Sequence, residues 1–134
     1  MAKIVRYATF IVIQHFVILC LHAFAHVKLE VWASLLGNVF IVVIIWIAPI
    51  VAMILLRQQR YPAGVILFLS SMVGSLLFGV YNHFIAISPD HVYHIPAGEE
   101  RELFQITAAL LALVELVGSI VGIWAWRVMK SVSH

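Results

Sequence analysis

Charge is scarce in this chain. Lysine and arginine together number 8 and aspartate and glutamate 6, so charged side chains make up only 10% of the 134 residues against 64% hydrophobic ones. Soluble domains carry about a quarter charged residues, and this composition leaves too little polar surface to cover a water-exposed globule. Cysteine is nearly missing too. Cys20 stands alone, which excludes an intrachain disulfide, and its place inside an apolar run predicts a small packing residue. There is no Gly/Ser linker, charge block or low-complexity tract, so residues 1–134 read as one domain. No glycine-rich phosphate loop occurs, and Ser70, Ser71, Ser75 and Ser119 have no patterned His/Asp partner, so no catalytic residue is assigned. The net charge of +2 gives nucleic-acid binding no support.

What is present is apolar sequence long enough to cross a bilayer. Four runs, near 4–27, 32–56, 62–87 and 103–126, each satisfy the roughly 20 residues that a hydrocarbon core requires. They predict an all-α integral membrane protein, a four-helix bundle of up-down-up-down order with an outer loop over 88–102. The first run imitates a secretory signal, with Lys3 and Arg6 ahead of it and Ala23-Phe24-Ala25 near its end. Its length, with Gln14 and His15 inside, predicts an uncleaved span. Lys3, Arg6, Arg57, Arg60, Arg127 and Lys130 fall on one side of the membrane, whereas Asp90, Glu99, Glu100 and Glu102 fall on the other. The positive-inside rule then puts both termini in the cytoplasm, most simply of a bacterial inner (plasma) membrane. Glu99, Glu100 and Glu102 are expected in the first turn of span four, at the positive end of its dipole. Pro49 is expected to kink span two. Gly118 and Gly122, with Ser71, Ser75 and Gly79 on span three, predict close helix packing.

The polar residues left inside these spans carry the functional signal. His15, His22 and His26 are separated by seven and four residues, so at about 100° per residue they project within roughly 40° of one another. Imidazoles are costly in hydrocarbon, and a row of them points to an interface or a ligand site. Depth sorts them. His15 and Glu115, the one carboxyl deep in a span, both lie near the bilayer centre and form an expected buried polar relay.

His22 and His26 lie higher, where His83 closes span three beside Asn82 and Asn38 enters span two. The loop adds Asp90, His91 and His94, whereas His134 reads as a solvated tail. A His-x-x-x-His step puts two imidazoles one turn apart on one face, able to chelate one ion. The candidate ligand set is therefore His22, His26, His83, His91, His94 and Asp90, with Asn38 and Asn82 as supporting polar groups. Imidazole-rich, thiolate-poor donors suit copper, iron or zinc, and two facing imidazoles would suit haem b. The function expected is metal handling or electron transfer at the outward face. The alternatives are a proton-coupled transporter or channel using Glu115 and His15, or an accessory subunit of a larger membrane complex. The bilayer is the expected partner, with a homo-oligomer or larger complex possible on the same grounds.

Overall fold

The computed structural model describes residues 1–132; His134 lies outside the described residues. Every regular element among them is helical. In chain order these are α1 (Ala2–Lys28), α2 (Leu35–Phe40), a π-helical segment (Ile41–Ile47), α3 (Ala48–Arg57), α4 (Tyr61–Val80), a second π segment (Tyr81–Ile85) and α5 (Arg101–Val132). Joined end to end they make four helices long and apolar enough to cross a membrane: Ala2–Lys28, Leu35–Arg57, Tyr61–Ile85 and Arg101–Ser131.

Local chemistry explains where each helix stops. α1 ends when Glu30 adopts φ 54° and the Val31 N–H donates back to the His26 carbonyl at 3.1 Å. α3 ends in the same way at Gln59, with φ 62° and the Arg60 N–H donating to the Leu55 carbonyl at 2.9 Å. Both are Schellman-type closures built without glycine. Ser34 caps α2 by accepting the Gly37 N–H, and Pro62 opens α4, where its missing N–H would lack a partner anyway.

The break in span two lies ahead of Pro49. The proline ring cannot donate to the Ile45 carbonyl, and the preceding residues widen into π turns, with the Ala48 N–H reaching the Val43 carbonyl. At the start of span four the expectation needs correction. The helix begins at Arg101, so Glu102 alone is acidic in its first turn; Glu99 and Glu100 precede it, and the Glu100 carbonyl accepts the Phe104 N–H. Cys20 also differs from the packing role expected of it, since its side chain is exposed on the outside of the bundle.

Three buried clusters follow one another along the bundle. Ile4, Leu56, Phe68, Met72 and Ala125 fill the end that holds the N-terminus. Leu19, Ile45 and Leu111 fill the middle. Ala25, Val31, Val92, Ile95, Phe104 and Ala108 fill the end under the loop between spans three and four. Glycine sets the closeness of α4 and α5. A Cβ on Gly122 would meet Leu69, including its Cα at 3.2 Å, and one on Gly118 would meet the flexible Met72 thioether. Gly122→Val must therefore push two backbones apart. It should destabilise the bundle by about 1–3 kcal/mol, read as a lowered thermal midpoint in detergent, with Gly118→Ala milder.

Candidate metal centre

Between the middle cluster and the loop end, three imidazoles from two helices converge. His22 and His26 come from α1 and His83 from the π segment that closes span three. One ligand atom from each lies within 4.8 Å of the others. His22 Nε2 is 3.2 Å from His83 Nε2 and 3.2 Å from His26 Nε2. Phe104, fully buried on α5, packs against all three rings with centroids at 4.7, 4.9 and 5.3 Å.

The other nitrogen of each ring is spent on an oxygen. His26 Nδ1 donates to the Val31 carbonyl at 3.0 Å, a group that the glycine-free turn at the end of α1 brings under the ring. His83 Nδ1 donates to the Asp90 carbonyl at 3.0 Å. His22 Nδ1 lies 2.8 Å from Thr107 Oγ, whose own hydroxyl donates to the Leu103 carbonyl at 2.6 Å. With that proton on the Leu103 carbonyl, Thr107 accepts from His22 Nδ1; with it turned to His22, the ring nitrogen accepts. A carbonyl can only accept. His26 and His83 are therefore Nδ1–H tautomers, and with His22 in the same form the three Nε2 lone pairs converge. Lone pairs at 3.2 Å repel unless a cation or a proton lies among them.

The loop is held firmly enough to contribute. The Val92 N–H donates to the His83 carbonyl at 2.9 Å, Gln105 Nε2 donates to the Val92 carbonyl at 2.7 Å, and Val92 and Ile95 are buried beneath. This brings Asp90 Oδ1 to 3.4 Å from His26 Nε2 and 3.4 Å from His83 Nδ1. That oxygen is buried and has no hydrogen-bond partner among the described residues. It lies at the edge of the trio, outside the group whose ligand atoms all fall within 4.8 Å of one another.

The remaining expected residues lie apart from this group. The His91 and His94 rings meet at a tilt, with centroids 5.0 Å apart, and His91 Nδ1 accepts the Tyr93 N–H. They are outside the converging trio. Asn38 and Asn82 donate to carbonyls of their own segments, Ala33 and Phe78, and so do not bond to the imidazoles. Deeper in the bundle His15 Nε2 lies 3.1 Å from Glu115 Oε1, with both residues buried. Thr107 and Phe104 belong to the site although neither was singled out as a site residue from sequence. Thr107 shares the α5 face of Leu111 and Glu115 at four-residue steps, the signal by which it was legible. No family model, curated protein or solved structure matches this chain.

Proposed function

We propose that this chain is an integral membrane protein that binds one transition metal ion through His22, His26 and His83, with Asp90 as the fourth ligand. Its spans run up-down-up-down, both termini are cytoplasmic and the centre lies near the outer face of a bacterial inner membrane. The observation that carries this reading is the convergence of the imidazoles: each Nδ1 meets an oxygen, and one ligand nitrogen from each ring lies within 4.8 Å of the others. Metal-bound histidines are oriented in this way, with the second nitrogen donating to a carbonyl or another oxygen.

Size favours an ion over a macrocycle. With metal–nitrogen bonds near 2.0–2.1 Å, the edge of a tetrahedral site is about 3.3 Å, against 3.2 Å from His22 Nε2 to each of the other two nitrogens and at most 4.8 Å across the trio. Two imidazoles bound to one haem iron would sit on opposite sides of the ring, whereas His22 and His83 meet edge to face at 4.9 Å with Phe104 against both. Three imidazoles and a carboxylate with no thiolate suit zinc first, then copper(II) or iron(II). Asp90, Glu99, Glu100 and Glu102 give the loop between spans three and four and the start of span four an excess of negative charge, which raises the local cation concentration. The activity is the binding and handling of that ion at the outward side.

The test is elemental analysis with an ultraviolet-visible spectrum of purified protein reconstituted separately with zinc, copper and iron. One equivalent of one of these ions per chain, lost on replacing His22 and His83 by alanine, is the expected result. A haem spectrum, or no stoichiometric binding of any of the three, overturns the reading.

A further inference from the structure

The trio itself lines one end of a cavity of about 190 Å³, with His22, His26, His83 and Asp90 in its wall, and the space extends down to Glu115. Its walls are mainly apolar and partly aromatic, with Leu19, Ile41, Ile45, Trp46, Phe78 and Leu111 among them. Span two shapes it. α3 packs on α1, whereas the π segment above it leans on α4, so the outer halves of spans one and two diverge. Val27 and Trp32 line the cavity and are also exposed on the surface of the bundle, which places its mouth between α1 and the start of span two. A molecule entering there comes from the region between headgroups and acyl chains.

The second observation is a hydroxyl without a partner. Ser71 donates to the Phe68 carbonyl at 2.9 Å and Ser119 to the Glu115 carbonyl at 2.8 Å, as buried helical serines ordinarily do. Ser75 does not. It is fully buried, it lines the cavity, and its Oγ has no hydrogen-bond partner among the described residues. A buried hydroxyl left unpaired is unfavourable and calls for a partner in the space it faces. Glu115, which meets His15 through Oε1, lines the same space.

We infer that this cavity binds a lipid-soluble phenol or hydroquinone ring. An apolar cavity of about 150 Å³ accepts benzene, so 190 Å³ accommodates one aromatic ring with a small polar substituent. Phe78, stacked on Phe40 at 4.8 Å, and Trp46 offer the ring aromatic neighbours. The ligand hydroxyl supplies what Ser75 lacks, a hydrogen-bond partner in a water-poor space, with Glu115 on the same wall. An apolar body with one protic end also matches a mouth at the bilayer interface. The inference does not depend on an ion in the trio, and it is tested on chelator-treated protein.

The probe is 4-propylphenol, with propylbenzene as its hydroxyl-free counterpart, titrated by calorimetry into the full chain in detergent. Saturable one-to-one binding of the phenol is expected, with propylbenzene about tenfold weaker, the factor one hydrogen bond supplies. Ser75→Ala should weaken the phenol by a similar factor and leave propylbenzene unchanged. Gly79→Leu should fill the space and remove binding, since a Cβ at Gly79 meets only ordinary contacts with Glu115 and His83 at 3.8 and 4.0 Å. Non-saturable partitioning alone, or equal affinities for the two probes, overturns the proposal. So does phenol binding that survives Ser75→Ala undiminished. If Gly79→Leu does not fold, the two-probe comparison on the unaltered chain decides.

Discussion

Replacing His83 by alanine should weaken metal binding by more than two orders of magnitude, the largest change of affinity expected from any single substitution in this chain. The side chain supplies one of three converging nitrogens, and the two that remain come from adjacent turns of one helix. Without His83 nothing from span three closes the site. Thr107→Val is the informative comparison. It keeps the shape of the side chain but removes the oxygen that His22 Nδ1 meets. The loss should be about 10–100-fold, the usual effect of removing an orienting partner. His91→Ala and His94→Ala should leave affinity unchanged, because those rings contact each other outside the trio. Competition titrations against a chromogenic chelator measure all four. A loss at His91→Ala as large as that at His83→Ala would show that the trio and Asp90 do not suffice to hold the ion.

The ranking also shows which parts of the site the chain discloses before it folds. Helical period alone puts His15, His22 and His26 on one stripe, and the structure has His15 and His22 buried on the inward face of α1. Rise per residue pairs His15 with Glu115 in depth, and 3.1 Å separates them. These are local rules applied along single helices, so they need no tertiary knowledge. What they miss depends on irregular backbone. His83 reaches His22 from a π turn, in which the Ala86 N–H bonds to the Tyr81 carbonyl, and no residue in Tyr81–Ile85 announces that widening.

The acceptor for His26 is a carbonyl placed by positive φ at Glu30, a conformation that sequence ordinarily advertises with glycine. Asp90 is drawn inward because Val92 and Ile95 bury themselves against Phe104 and Ala25, an effect of cooperation between a loop and two helices. Six donors could be named from the sequence, but selecting four of them required the packing.

Stability, in contrast to affinity, should respond most to the pair at the centre of the bundle. His15 and Glu115 are nearly inaccessible, at 1% and 3% exposure, and their side chains meet at 3.1 Å from spans one and four. Removing one member of such a pair leaves the other without its partner in a medium that solvates it poorly. His15→Leu strands the carboxyl, so it should lower stability by about 3–5 kcal/mol. Glu115→Leu leaves the imidazole without its partner and should lower it by about 1–3 kcal/mol. The double replacement removes both polar groups and supplies apolar volume, so its loss should fall well below the sum, with a coupling of at least about 2 kcal/mol. Thermal unfolding of the four proteins in one detergent completes the cycle. Additive losses would mean that the two side chains are each held by other groups, and the 3.1 Å approach would then carry no energy. A large coupling would instead identify the pair as a single buried unit joining spans one and four beneath the imidazoles, placed to hold α1 in the rotation that turns His22 and His26 toward His83.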